Sequence, residues 1–146
     1  MSDMLSVENN YYESLPEELF LLFVAFFFGV LFMQSGLDKV LNFDDNLTFL
    51  KTHFQKTIFK NNVTILFVIL TIFELFTGSI FCIGLAGVLI FGFSNQLIHL
   101  LFLGVIMSNL TLCCLFLGQR MARDYVGAVN LATYFLIALL SLFFFF

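Results

Sequence analysis

The run Val63–Ile83, VTILFVILTIFELFTGSIFCI, constrains this chain more than any other stretch. It is 21 residues long and carries one charge, Glu74, near its middle. A helix of about 20 residues, rising about 1.5 Å per residue, crosses the roughly 30 Å hydrocarbon core of a bilayer. A carboxyl group at that depth costs about 2.5–3.5 kcal/mol on insertion scales, so such groups face a partner or a wet cavity. A nearby cation favours the charged form of a buried carboxyl; without one, burial favours the protonated form. The partner, or the cavity, has to come from the rest of the chain.

Composition excludes a soluble domain. Of 146 residues, 61% are hydrophobic and 11% charged, more apolar surface than a single soluble domain of this size can hide. A single all-α domain is expected: a polytopic membrane protein built as an antiparallel bundle of four transmembrane helices, with a short amphipathic helix in the loop between the first two. No basic residue precedes Lys39, and acidic residues stand just before the first apolar run. That pattern argues against a cleaved signal peptide and for a retained first span.

Taken in order, residues 1–13 read as a polar tail, disordered or lying on the surface, and 14–146 as the membrane domain. Ser14 and Glu17 have capping-box spacing and Pro16 suits a first helical turn, so the first span is expected over 16–38. Ala25 and Gly29, four apart, and then Gly36 offer small faces for close helix contact. The connection 39–61 is polar, yet Leu47, Leu50, Phe54 and Ile58 recur at steps of three and four. With Asp44, Asp45 or Asn46 as a cap, this predicts an amphipathic helix on the membrane surface. The second span is expected over 63–83, ending in a tight turn at Gly84–Gly87, and the third over 88–117. The alternative is a longer second helix that turns at Ser94. A polar loop containing Arg120 and Asp124 leads to the fourth span, 126–146, where Ala128 and Ala132 repeat the small-residue spacing. The phenylalanines at its end read as lipid-facing or interfacial.

Four spans put both termini on one side and the 1–2 and 3–4 connections on the other. All six basic residues, Lys39, Lys51, Lys56, Lys60, Arg120 and Arg123, fall in those two connections. The positive-inside rule then predicts a multi-pass protein of the inner (plasma) membrane, with the basic loops in the cytoplasm and both termini outside.

Polar side chains gather in the inner half of this arrangement. By helical rise, Glu74 lies roughly 16 Å and Asn109 roughly 12 Å from the basic edge. Gln34, Ser35 and Lys39 sit at the inner end of the first span, Asn130 and Tyr134 in the first turns of the fourth, and Thr71 one turn before Glu74. Two readings follow. One is a partly hydrated pocket with Glu74 at its floor, where Glu74, Lys39, Gln34, Asn109, Asn130 and Tyr134 would hold a ligand or move protons. The other is a set of interhelical hydrogen bonds that hold the bundle together. The three cysteines, Cys82, Cys113 and Cys114, have no C-x-x-C spacing and read as buried structural thiols. His99 has no second ligand at metal spacing, so no metal site is expected. Six scattered basic residues do not make a nucleic-acid surface.

Phe32-Met33-Gln34-Ser35-Gly36-Leu37-Asp38-Lys39 resembles the end of the first helix in DoxX-family membrane proteins. Glu74-Leu75-Phe76-Thr77-Gly78 resembles that family's Glu-containing second helix. The loop Gly118-Gln119-Arg120-Met121-Ala122-Arg123-Asp124-Tyr125 is similar to that of a subset in Bacteroidetes-type bacteria. The resemblance runs from about Leu19 to the end and singles out Lys39 and Glu74. It implies a four-helix inner-membrane protein, with relatives that include a thiosulfate:quinone oxidoreductase subunit and a protein linked to a membrane redox complex. Three functions follow as expectations. The first is an accessory component of a membrane complex, partnered by another membrane protein or by copies of itself. The second is a quinone-linked oxidoreductase subunit, with quinone as its cofactor. The third is a small-solute carrier working as an oligomer. The chain lacks the paired-cysteine motif that direct disulfide chemistry would use.

Overall fold

A computed structural model describes residues 2–145, with side chains from residue 15 onward. Helix α1 runs Ser2–Leu41, α2 Phe43–His53, α3 Val63–Phe91, α4 Asn95–Ala122 and α5 Tyr125–Leu142, followed by a short 3-10 turn at Phe143–Phe145. Among the described residues the architecture is all-α. Four helices carry stretches long and apolar enough to cross a membrane: Leu15–Leu41, Val63–Phe91, Asn95–Ala122 and Tyr125–Phe145. The chain is therefore a four-span helical membrane protein, and the short amphipathic α2 lies between its first two spans.

Several boundaries differ from the sequence expectation. Helix α1 does not begin at Pro16: the helix continues from Ser2 with Pro16 inside it, so residues 2–13 are not a structureless tail. The expected Ser14 cap lies outside the described side chains. At its other end α1 continues to Leu41, which brings Lys39 into the helix. The second span does not stop at Gly84–Gly87. Helix α3 continues to Phe91, and the turn falls at Gly92–Ser94, as in the alternative reading. In hydrocarbon a helix cannot exchange its backbone hydrogen bonds for water, so glycine alone does not end it. Gly84 and Gly87 instead make room for Leu101 and Leu97 of α4. The real stop is Gly92, at φ 77° and ψ −179°, a conformation open essentially to glycine alone. Ser94 then caps α4 by accepting the Leu97 backbone N–H at 3.4 Å. At the far end α5 stops at Leu142 rather than 146. The phenylalanine tail is not simply lipid-facing: Phe144 stacks on Phe20 with centroids 3.7 Å apart, and Phe145 meets Phe102 at 4.8 Å.

Helix α1 packs on α3, α3 on α4 and α4 on α5, while α1 and α5 meet through rings such as Phe27 and Tyr134. The core is apolar and aromatic, with Phe28, Phe32, Phe81, Leu101, Val105 and Leu112 essentially enclosed. A satellite cluster fastens α2 to the base of α3: Leu47 packs with Val63 and Phe67, flanked by Leu50 and Phe54. The spacing of those residues is what makes α2 amphipathic. Ile58, expected on the same face, lies beyond the end of α2 and is exposed.

Candidate functional site: a buried ion pair between the first two spans

Ser35 and Lys39 stand four residues apart on α1, so they share one face of the helix. That face meets Glu74 of α3. Lys39 Nζ lies 2.9 Å from Glu74 Oε2 and donates to Oε1 at 3.0 Å. The Ser35 hydroxyl donates to the same Oε1 at 3.0 Å, and Nζ also donates to Ser35 Oγ at 2.8 Å. Oε1 therefore takes both hydrogen bonds, and Oε2 is held as an ion-pair contact without a directed one. The Glu74 side chain is 1% exposed and that of Lys39 16%. The ammonium thus turns inward to the carboxylate rather than snorkelling outward. A charged carboxylate in a low-dielectric setting is tolerable only when a cation and hydrogen-bond donors surround it.

Two glycines allow the helices to come this close. A Cβ at Gly36 would stand 2.8 Å from the Leu75 side chain and 3.1 Å from its backbone nitrogen. A Cβ at Gly78 would stand 2.6 Å from the Met33 nitrogen and 2.9 Å from its Cα. One glycine on each helix thus flanks the ion pair. Ser35, Gly36 and Lys39 interlock with Glu74, Leu75 and Gly78, a small-residue crossing with a polar clasp. Gly29, higher on α1, makes only ordinary contact with Phe81.

The other polar residues singled out from the sequence do not all converge here. Gln34 is exposed on the outer face of α1, where it lines a shallow groove with Gly29, Met33 and Cys82. Asn109 turns to α5: its Nδ2 donates to the Ala138 carbonyl at 3.1 Å and to the Val105 carbonyl at 2.9 Å, so it joins α4 to α5. Asn130 is exposed on α5. Tyr134 packs on the core, its ring 6.0 Å from that of Phe27. Thr71 is buried and donates back to the Phe67 carbonyl. In the α4–α5 loop, Asp124 caps α5 by accepting the Gly127 N–H at 2.9 Å, and the Arg120 guanidinium lies 4.8 Å from the centre of the Tyr125 ring. The six residues thus form one clasp, Lys39–Glu74, and several separate contacts rather than one pocket lined by all of them. The cysteines also depart from expectation: Cys82, Cys113 and Cys114 are exposed on the helix surfaces, not buried.

Two features had no clear sequence signal. Thr77 and Thr111 meet at 3.2 Å between α3 and α4, each hydroxyl also bonded to its own helix. In addition, an apolar cavity of about 210 Å³ lies beneath α2, lined by Leu50, Phe54, Phe67, Leu70, Cys114 and Gly118 among others. Neither that cavity nor the α1 groove is lined by Glu74. No group of three or more His, Cys, Asp or Glu residues able to hold a metal occurs among the described residues.

Comparison of the chain with protein-family models finds no match, and no curated protein and no solved structure matches it either.

Proposed function

We propose that this chain is a DoxX-type protein of the inner membrane that acts as an accessory component of a membrane complex, with α5 as its docking face. One observation carries the reading. In the most apolar window of the fourth span 17% of residues are buried, against 33–39% in the other three. The outer surface of α5 presents Val126, Val129 and Asn130 together. A carboxamide facing lipid gains by finding a hydrogen-bond partner, which a neighbouring protein helix provides. The Lys39–Glu74 clasp then acts in support, fixing the register of α1 against α3 so that the bundle offers a stiff surface.

The quinone-linked and carrier readings have less support. Both need Glu74 to reach a ligand, yet its side chain is 1% exposed and its carboxylate is taken up by Ser35 and Lys39. On orientation, every basic residue stands at the end of the bundle that holds α2 and the α4–α5 loop. We place that end in the cytoplasm and the termini outside.

The test is purification of the full chain from its native membrane in mild detergent. A stoichiometric partner should accompany the wild type and be lost from Asn130→Leu, while the variant stays monodisperse. A chain that purifies alone, or as a homodimer unaffected by Asn130→Leu, overturns the proposal.

A further inference from the structure

The cavity beneath α2 has a shape and setting that specify an occupant. Leu50 and Phe54 roof it from α2 and the residue after it, Phe67 and Leu70 wall it from α3, and Cys114 and Gly118 close it from α4. No charged side chain lines it. It sits against the first turns of α3 and the last turns of α4, so it lies at the boundary between headgroups and acyl chains at the basic end of the bundle. Three further lining residues, Leu66, Ile69 and Leu117, are 41%, 45% and 54% exposed, so the cavity is continuous with the lipid-facing surface. On the aqueous side, His53 Nε2 and Gln119 Oε1 meet at 3.3 Å and tie the end of α2 to the end of α4.

Basic residues adjoin the lining in the chain: Lys51 follows Leu50 and Lys60 follows Phe59, while Arg120, two residues beyond Gly118, has its guanidinium over the Tyr125 ring. Lys51 and Lys60 are exposed, and among the described residues the one salt bridge is Lys39–Glu74, which leaves both lysines without a carboxylate. An apolar hole open to lipid, with exposed lysines next in the chain to its lining residues, is complementary to the acyl chain of an anionic lipid. We propose that the cavity binds one acyl chain of an anionic phospholipid from the leaflet at the basic end, with its phosphate within reach of Lys51 and Lys60. The site differs from the α5 face and does not depend on the proposed accessory role. A bound lipid would wedge α2 against α3 and α4, so α2 serves as the lid of a lipid site as well as a surface anchor.

The test uses the full chain in nanodiscs of equimolar phosphatidylglycerol and phosphatidylcholine, extracted into detergent and weighed by native mass spectrometry. The wild type should retain one phosphatidylglycerol in preference to phosphatidylcholine. Removing basic charge with Lys51→Gln and Lys60→Gln should cut that preference about fivefold per residue. A Cβ at Gly118 would meet Phe54 at 3.6 Å, an ordinary contact, so Gly118→Ala should keep the lipid. Gly118→Leu should fill the cavity and lose it. Equal retention of the two lipids by the wild type overturns the proposal, as does full retention by Gly118→Leu. Should Gly118→Leu fail to fold, the lysine variants decide: an unchanged preference refutes the proposal.

Discussion

The two halves of the Lys39–Glu74 pair should not be equally expensive to lose. Lys39→Met leaves a carboxylate that is 1% exposed, in the middle of a 29-residue helix, with Ser35 as its remaining donor. Breaking a buried pair from one side costs about 3–5 kcal/mol, because the surviving charge is stranded. Glu74→Gln keeps the shape, and the amide oxygen can still accept from Ser35 and Lys39. The ammonium it strands is 16% exposed and two residues from the end of α1. A lysine so placed can swing its charge to the interface, which limits the loss to about 1–2 kcal/mol. Lys39→Met should therefore destabilise the bundle by about 2 kcal/mol more than Glu74→Gln. The double variant should recover much of the loss, with a coupling of about 1–3 kcal/mol, since neither charge is then stranded. Equilibrium unfolding in mixed micelles of mild detergent and dodecyl sulfate measures all three. A larger loss from Glu74→Gln, or additive losses in the double variant, would refute the asymmetric burial on which this rests.

Other positions give independent tests. Gly78→Ala drives a Cβ into the Met33 backbone, which cannot rotate away, so α1 and α3 must part; a loss of about 1–3 kcal/mol is expected in the same unfolding assay, against little change for Gly29→Ala. Gly92→Ala has open space around it yet should cost about 1–3 kcal/mol through its backbone conformation alone, so a neutral result would contradict a turn at that residue. Asn109→Leu removes the bond to the Ala138 carbonyl and should cost about 0.6–1.7 kcal/mol, read as earlier unfolding of the α4–α5 pair. Single cysteines placed at Lys56 and at Asn95, both exposed, in a chain whose own three cysteines are replaced, should be labelled by an impermeant reagent from opposite sides of the membrane, Lys56 from the cytoplasm; the reverse pattern overturns the orientation.

The spans were legible because hydrocarbon imposes a length and an apolar composition that few other settings tolerate. Amphipathic α2 was legible for the same kind of reason, since Leu47, Leu50 and Phe54 sit at helical steps. The α3–α4 boundary was misread at Gly84–Gly87, because glycine in a soluble chain marks a break and in a membrane marks a contact. The sequence does not say which until the opposing Leu97 and Leu101 are known. The clasp was half legible. Glu74 demanded a partner and Lys39 stood at a suitable depth, but helical rise gives depth without azimuth. Gln34, Asn109 and Asn130 therefore looked equally able to join it. Their directions are set by the packing of α1 on α3 and of α4 on α5, which no local pattern encodes. The cysteines fail for a related reason: a thiol is as content against lipid as in a core, so its burial cannot be read from its chemistry.

Gly36 and Gly78 explain why the ion pair sits where it does. Without a hydrophobic force between helices inside a bilayer, association depends on close packing and on polar contacts. At the α1–α3 crossing these two needs are met by the same few residues. The glycines bring the backbones together, and that proximity lets Lys39 and Ser35 reach one carboxylate from a single helix face. The polar contact in turn penalises any slip of α1 along α3: a shift of one residue turns Ser35 and Lys39 away by roughly 100° and strands both charges. Packing resists the same slip, since it would bring a side chain into the place of Gly36, where even a Cβ would stand 2.8 Å from Leu75. The clasp and the two glycines therefore set the same register of α1 against α3. The α4–α5 seam has a weaker equivalent in the neutral bond from Asn109 to Ala138, and α5 should be the span that detaches first as the bundle is destabilised.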